Sequence, residues 1–185
     1  MGNETDTIRE RHSLETPLRT ETALVLVGHG AIAKDCPRDL VRQLKALEGR
    51  RQTSGAPPTP AEKALEDRIR HWPRTPVNDP YGAGCERLLH LLRPLLPEMT
   101  LKLAYLEFSA PTLEEAVEDL RQRGITTVLI APSMMTPGGI HSEVDIPQIV
   151  DQLQTAHPEM TLHYAWPFDL TKIAQLMADH VMQFA

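Results

Sequence analysis

Cysteine is scarce in this chain of 185 residues: only Cys36 and Cys85 are present, far apart and in no Cys-x-x-Cys pair. That spacing indicates neither a disulfide framework nor a cysteine zinc site, and it fits a reducing compartment. The sequence also contains no apolar run near 18 residues, and residues 1–20 lack the apolar segment of a secretory signal. We therefore expect a cytoplasmic protein without a membrane segment.

Positive charge is in deficit, since 19 Lys and Arg against 25 Asp and Glu give a net charge of −6. A field of that sign repels nucleic acid and anionic lipid, so we expect neither nucleic acid nor a membrane as a partner. Residues 1–21 mix charges with Thr and Ser without periodicity and predict a disordered N-terminal arm. Residues 22–185 are enough for one domain with a full core.

Short β-rich runs alternate with amphipathic stretches from residue 23 onward, which is typical of the βα units of a parallel sheet. The first and third predicted strands are almost wholly apolar, as strands buried on both faces should be. The predicted fold class is α/β, a single domain with a parallel sheet flanked by helices. Strands are predicted at residues 23–27, 101–106, 126–131 and 162–165, and helices at 84–96, 112–123, 146–156 and 170–184. We expect the last helix to pack onto the sheet.

Residues 34–80 are far longer than an ordinary connection between a strand and a helix, which has about 2 to 6 residues. Residues 38–51 and 61–72 have helical patterns, and the proline-rich stretch 53–60 separates them. The sequence therefore predicts a helical insertion at about 34–80, and we expect it to lie over one side of the sheet.

Three of the predicted strands are each followed by a side chain suited to metal or proton chemistry. His29 follows the first strand, Glu107 ends the second, and His141 lies in a Gly-rich loop after the third. Ligands of such folds bind beyond the carboxyl ends of the strands, so these three residues are candidate metal ligands and proton acceptors. Imidazole with carboxylate suits iron, cobalt or nickel. Taken singly, each could equally be a structural histidine or a solvated strand-end glutamate.

Smaller and apolar residues beside these three are candidates for contact with a substrate. Glycine permits sharp turns and the close approach of a bulky ligand. A methionine just after a strand could line the bottom of an apolar binding pocket, or it could simply pack in the hydrophobic core. The candidate substrate-binding residues are Gly28, Gly30, Ser133, Met134, Met135, Gly138 and Gly139.

Together the three motifs resemble the sirohydrochlorin chelatase family, the CbiX/SirB-type class II tetrapyrrole chelatases. The resemblance covers residues 22–33 and 80–185, and it depends on Leu26-Val-Gly-His-Gly, Tyr105-Leu-Glu-Phe-Ser-Ala-Pro and Gly138-Gly-Ile-His-Ser-Glu-Val-Asp-Ile-Pro. It implies a flavodoxin-like, chelatase-like fold and a lyase that inserts divalent cobalt, iron or nickel into sirohydrochlorin or a related tetrapyrrole, without ATP or an organic cofactor. It further implies that His29 and His141 bind the metal and accept pyrrole protons, and that a homodimer is possible. We add the hypothesis that Glu107 assists metal delivery or proton removal.

The sequence departs from the family where many members continue His-Gly-Ser-Arg, because Ala31 and Ile32 stand there instead. Compared with those members, this chain therefore lacks a hydroxyl group and a positive charge at the edge of the expected substrate site. The insertion could cover the cleft as a lid, which we favour, replace a subunit contact or bind a partner. Its basic residues could bind a polycarboxylate macrocycle or simply form a solvated helical face. These residues are Lys34, Arg38, Arg68, Arg70 and Arg74.

Two other functions compete with metal insertion. The first is a non-catalytic protein of the same fold that binds or carries a metal or a tetrapyrrole. The second is a phosphate-binding or phosphatase-like protein, which is disfavoured because no arginine directly follows His29 to hold phosphate. Cys36 could approach a metal, but a single thiol after Asp35 is more often incidental.

Overall fold

Four parallel strands form one sheet, in the order β2-β1-β3-β4, in the computed structural model of residues 22–185. The sheet agrees with the predicted strands to within one residue at every end. The expected disordered arm, residues 1–21, lies outside the described residues. The strands are β1 (Thr22–Gly28), β2 (Thr100–Tyr105), β3 (Thr127–Pro132) and β4 (Thr161–Tyr164).

The central strand β1 explains why the sheet carries helices on both faces. Val25 and Val27 pack into one core cluster, while Leu26 points to a second cluster on the opposite face. Because successive side chains of a strand point to opposite faces, the apolar run of β1 requires cover on both sides. The predicted α/β class, a parallel sheet flanked by helices, is confirmed.

Six α-helices accompany the strands in the described residues, and local capping sets where several of them begin. Thr112 and Glu115 form the capping box that opens α4. The helix predicted from residue 84 begins four residues earlier, because the Asp79 side chain accepts from the Gly82 N–H and Pro80 suits the first helical position. The helices are α1 (Arg38–Ser54), α2 (Pro60–Arg70), α3 (Pro80–Leu92), α4 (Leu113–Gln122), α5 (Ile146–Ala156) and α6 (Leu170–Val181).

The long segment after β1 holds α1 and α2, which pack against each other. Leu40, Leu44 and Ile69 bury their side chains in a small cluster of their own, and Cys36 belongs to it. Burial raises the pKa of the Cys36 thiol, so this side chain acts as a small apolar group.

The C-terminal helix α6 forms as predicted, but it does not pack onto the sheet. It has no buried residue, and Leu176, Met177 and Val181 are each more than half exposed. The expected packing is therefore wrong. The nearby β4 has only four residues with one buried side chain, and α5 already packs against it.

Within residues 22–185, no helix has the length and apolar character needed to cross a membrane.

Candidate metal centre

The strand order brings the three predicted ligands to one edge of the sheet. After β2 the chain crosses β1 and continues on its other side as β3, so the order reverses next to β1. In open parallel sheets ligands bind at such a switch point, beyond the carboxyl ends of the strands. His29 directly follows β1, Glu107 follows β2, and His141 follows the loop after β3.

His29, Glu107 and His141 converge there as one cluster. A ligand atom from each lies within 4.8 Å of the other two. The His29 Nε2 atom is 3.8 Å from Glu107 Oε2, and the two imidazole ring centroids are 5.0 Å apart. Two ligand atoms on one ion can be at most about 4.2 Å apart, since each bond is about 2.1 Å. The His29–Glu107 pair already satisfies this limit, and the whole set exceeds it by at most 0.6 Å.

The backbone of its own loop orients the His29 imidazole. Nδ1 lies 2.9 Å from the Gly30 carbonyl oxygen, which can only accept, so Nδ1 carries the hydrogen. The lone pair is then on Nε2, the nitrogen that faces Glu107. The His29 N–H donates to the Tyr81 hydroxyl at 2.9 Å, which fixes the main chain at the same point.

His141 is oriented in the same way by a carboxylate. Its Nδ1 lies 2.7 Å from Asp145 Oδ2, which leaves Nε2 as the unprotonated nitrogen. Residues His141–Asp145 form a single π-helical turn directly before α5, where sequence reasoning expected a loop. Such turns recur at functional sites. A carboxylate behind a ligating histidine raises the basicity of the ligand and holds its ring.

Gly30 allows the loops after β1 and β2 to approach each other closely. Its φ is +92°, and a Cβ atom there would lie 1.8 Å from the Glu107 carbonyl oxygen. The Glu107 N–H donates to the His29 carbonyl at 2.8 Å, and the Ser109 hydroxyl accepts from the Ala31 N–H at 3.2 Å. The glycine therefore sets the separation of His29 and Glu107.

The cluster is open to a ligand from one side. The side chains of His29 and Glu107 are each 41% exposed, and that of His141 is 25% exposed. Apolar side chains flank His141, since Ile140 and Val144 are 65% and 52% exposed. The arrangement can hold a divalent ion through three protein ligands and leave further positions for an incoming ligand.

The candidate substrate-binding residues fall into three groups. Gly28 and Gly30 are buried, the first against Tyr105 and Tyr81, so they shape the main chain. Gly138 and Gly139 are exposed in the turn before His141. The other three are partly buried after β3: Ser133, Met134 and Met135. Met134 packs against the main core cluster.

The basic residues of the segment between β1 and α3 also divide into two groups. Lys34, Arg38 and Arg68 are exposed. Arg70 and Arg74 instead donate to main-chain carbonyls next to Glu107 and His29. Their guanidinium groups are engaged within the protein, which does not favour their use as substrate ligands.

Asp145 and Tyr81 are site residues that sequence reasoning did not assign. The spacing of Asp145, four residues after His141, was a usable signal, because residues so spaced meet on one side of a helical turn. Tyr81 had no such signal. It reaches the His29 N–H from α3, and its hydroxyl lies 3.5 Å from the Ser133 hydroxyl.

The fold and the cluster together define an α/β protein with a candidate metal site of two histidines and one carboxylate at the switch point of its sheet. The CbiX family model matches residues 79–183, more than half of the chain. The chain therefore belongs to the CbiX family, as its motifs predicted.

Curated relatives and a solved structure show the extent of the likeness. The sirohydrochlorin cobaltochelatase of Priestia megaterium is 25% identical over 89 residues, which are 48% of this chain and 29% of that protein. The sirohydrochlorin ferrochelatase of the same organism is 24% identical over 81 residues, 43% of this chain and 30% of that protein. The chain thus spans less than a third of the length of these relatives.

The solved structure is a protein from Marinobacter aquaeolei VT8, named as a putative cobalamin (vitamin B12) biosynthesis CbiX protein. It is 16% identical, with a TM-score of 0.50, and the match covers 88% of this chain and 93% of that one. At this identity the likeness concerns the fold alone.

Proposed function

We propose that this protein is a metal chelatase that inserts divalent cobalt, iron or nickel into sirohydrochlorin or a related tetrapyrrole, without ATP or an organic cofactor. The observation that carries the proposal is the convergence of His29, Glu107 and His141, each delivered by a different strand, at one exposed edge of the sheet. Membership in the CbiX family supports it, as do the names of the two Priestia megaterium relatives.

The chemistry needs a site that holds a metal ion briefly and accepts protons. Two pyrrole N–H protons leave as the divalent ion enters the ring. With Nδ1 occupied in both histidines, each Nε2 lone pair is available first to the ion and then to a proton. Imidazole is the side chain that can perform both roles near neutral pH. Glu107 supplies a charged oxygen that lowers the free energy of the cation.

The open side of the cluster suits a flat ring. Ile140 and Val144 offer apolar contact beside His141, and the exposed Gly138–Gly139 turn leaves room for close approach. Met134 and Met135 lie partly exposed after β3 and could contact the same ring. We propose these residues, with Ser133, as the substrate-facing set, whereas Gly28 and Gly30 act by shaping the loop.

The ligand set does not select one metal. Imidazole and carboxylate together accept iron, cobalt and nickel, and selection then follows availability as much as intrinsic affinity.

We propose that the protein works in the cytoplasm, that residues 22–185 form the chelatase domain, and that the helices of residues 34–80 are an insertion in it. A homodimer is part of the same proposal.

An anaerobic assay across metals tests the function. Purified protein is mixed with sirohydrochlorin and Co²⁺, Fe²⁺ or Ni²⁺, and the absorption spectrum of the macrocycle is followed. We expect conversion well above the rate without protein, with many turnovers per protein molecule. A matched control is His163→Ala, which removes an exposed histidine of β4 and should leave the rate unchanged.

Stoichiometric binding without turnover would contradict the enzyme and support the competing carrier function. The spectra distinguish the two cases, because a carrier changes the spectrum once, up to one equivalent of protein, whereas a chelatase continues until the substrate is consumed.

A further inference from the structure

Arg74 joins the two loops that carry His29 and Glu107. Its Nη1 atom donates to the Ala31 carbonyl at 2.5 Å, two residues after His29. Its Nη2 atom donates to the Phe108 carbonyl, directly after Glu107. One planar guanidinium thus connects the chain beyond β1 with the chain beyond β2.

The charge of this guanidinium is balanced where it lies. Nη1 is 2.9 Å from Asp79 Oδ2, and the side chains of Arg74 and Asp79 are 22% and 7% exposed. Asp79 also caps α3 through the Gly82 N–H. The start of α3 therefore fixes the carboxylate that holds Arg74, and Arg74 holds the loops.

A second arginine also binds the main chain beside Glu107. Arg70 Nη2 donates to the Leu106 carbonyl at 3.1 Å, and Glu66 lies 2.7 Å from the same nitrogen. The main-chain carbonyls directly before and after Glu107 each accept from a guanidinium. Phe108 has a φ of +57°, a conformation that a non-glycine residue keeps only when its surroundings enforce it.

We propose that Arg74 is a positioning residue of the metal site, which holds the Glu107 carboxylate at the distance from His29 at which both bind one ion. The proposal rests on the proposed function of the His29, Glu107 and His141 cluster. Lysine cannot replace Arg74, because an ammonium presents its donors from a single point and cannot join two carbonyls and a carboxylate in one plane. The helical segment between β1 and α3 then serves as a brace of the site and not as a lid.

The test is a double-mutant cycle on Co²⁺ binding by the full-length protein. Wild type, Arg74→Lys, Glu107→Gln and the double variant are titrated anaerobically with Co²⁺, and the dissociation constant and visible absorption of the bound ion are recorded. We expect Arg74→Lys to weaken Co²⁺ binding by about 10–100-fold, as loss of an outer support of a metal site does. In the Glu107→Gln background the same change should have little further effect.

A merely structural role gives a different pattern, since Arg74→Lys would then weaken Co²⁺ binding equally in both backgrounds. That result overturns the proposal, and so does unchanged binding by Arg74→Lys. The control is Arg42→Lys, an exposed arginine of α1 that forms an ion pair with Asp39. It should bind Co²⁺ like wild type.

Two further arms keep the outcomes separate. If Arg74→Lys fails to fold by circular dichroism, the cycle is run with Arg74→Gln, which keeps a planar donor group without the charge, and independence from Glu107→Gln again overturns the proposal. If Glu107→Gln itself binds Co²⁺ like wild type, the ligand assignment and with it the proposed function are wrong. If Glu107→Gln is weakened and Arg74→Lys is not, only the role of Arg74 is wrong.

Discussion

His141 and Asp145 are four residues apart, and their contact of 2.7 Å determines which nitrogen of the imidazole meets a metal ion. The carboxylate accepts from Nδ1, so Nε2 keeps its lone pair. His29 reaches the same state through the Gly30 carbonyl. The two histidines therefore present equivalent nitrogens by different means, one held by a main-chain carbonyl and the other by a carboxylate.

Replacing Asp145 by Asn should weaken the metal site without unfolding the protein. The amide carries no charge and can turn its NH₂ group toward Nδ1, which disfavours the required tautomer. We expect metal affinity and insertion rate to fall by about 10–100-fold. Co²⁺ titration and the anaerobic assay measure both quantities. Asp151→Asn, at an exposed position of α5, is the control, and a wild-type affinity in Asp145→Asn would refute the role of the carboxylate.

Gly30 and Gly138 form a natural pair for testing the close approach of the two loops. Both have φ of +92°, but an added Cβ at Gly30 meets the Glu107 carbonyl at 1.8 Å, whereas one at Gly138 has nothing within 4 Å. In both alanine variants the left-handed backbone conformation lowers the free energy of unfolding by roughly 1 kcal/mol. Only Gly30→Ala must also move Glu107.

Gly30→Ala should therefore lose more stability than Gly138→Ala in denaturant unfolding and should also lose Co²⁺ affinity. Equal losses of stability in the two variants would mean that the loops after β1 and β2 can separate without cost.

The residues of the site were predictable from the sequence where each directly follows a recognisable strand. His29, Glu107 and His141 each follow a recognisable strand, and they do converge. Arg74 was not predictable as a support, because its contacts with Ala31 and Phe108 join residues 43 and 34 positions away. No periodicity or motif encodes contacts at such separations.

The π-helical turn of residues His141–Asp145 is the element on which the site depends most. The Tyr164 hydroxyl, at the end of β4, donates to the Ser142 carbonyl at 2.9 Å. The Trp166 Nε1–H donates to Glu143 at 3.2 Å. Tyr164 at the end of the edge strand β4 and Trp166 just after it thus hold the turn, which gives this end of the sheet a role beyond its small contribution to the core.

Tyr164→Phe tests this link through the pH dependence of stability. Burial raises the pKa of Tyr164 to about 12, against about 10 in an unfolded chain. Because the folded state favours the neutral phenol, the stability it contributes is fully present below pH 10 and is lost as the pH rises toward 12. The variant should lose about 0.5–1.5 kcal/mol at neutral pH with the hydrogen bond.

The variant should also show a smaller fall in stability between pH 10 and pH 12 than wild type. Denaturant unfolding at several pH values measures both effects. An identical alkaline fall in the two proteins would show that Tyr164 does not carry it.

Elements were predicted well where hydrophobic period and capping agreed, as in α4 and α5. The start of α3 was missed because the prolines of residues 73–80 are typical of a connection between elements, whereas the Asp79 cap and Pro80 in fact begin a helix there. The placement of α6 was wrong for another reason. An amphipathic pattern fixes which face is apolar but not what lies opposite it.

At the scale of the whole molecule, the strand order brings together residues that are far apart in the sequence. The order β2-β1-β3-β4 places the ends of three strands side by side, so residues 29, 107 and 141 meet although 112 positions separate the first from the last. The sequence indicated α/β units and the parallel sheet, because buried parallel strands are apolar throughout. It could not indicate that the segment between β1 and α3 supports the site through the main-chain contacts of Arg70 and Arg74.

The most direct test of the account is metal insertion by His141→Ala, measured anaerobically with sirohydrochlorin and Co²⁺ beside wild type and the His163→Ala control. His141 lies on the surface before α5 and is 25% exposed, so the variant should keep its fold, which circular dichroism verifies. We predict that insertion falls to the rate without protein and that Co²⁺ binding weakens strongly, while the control matches wild type. A folded His141→Ala protein that inserts cobalt at the wild-type rate would contradict the assignment of this cluster as the site of metal insertion.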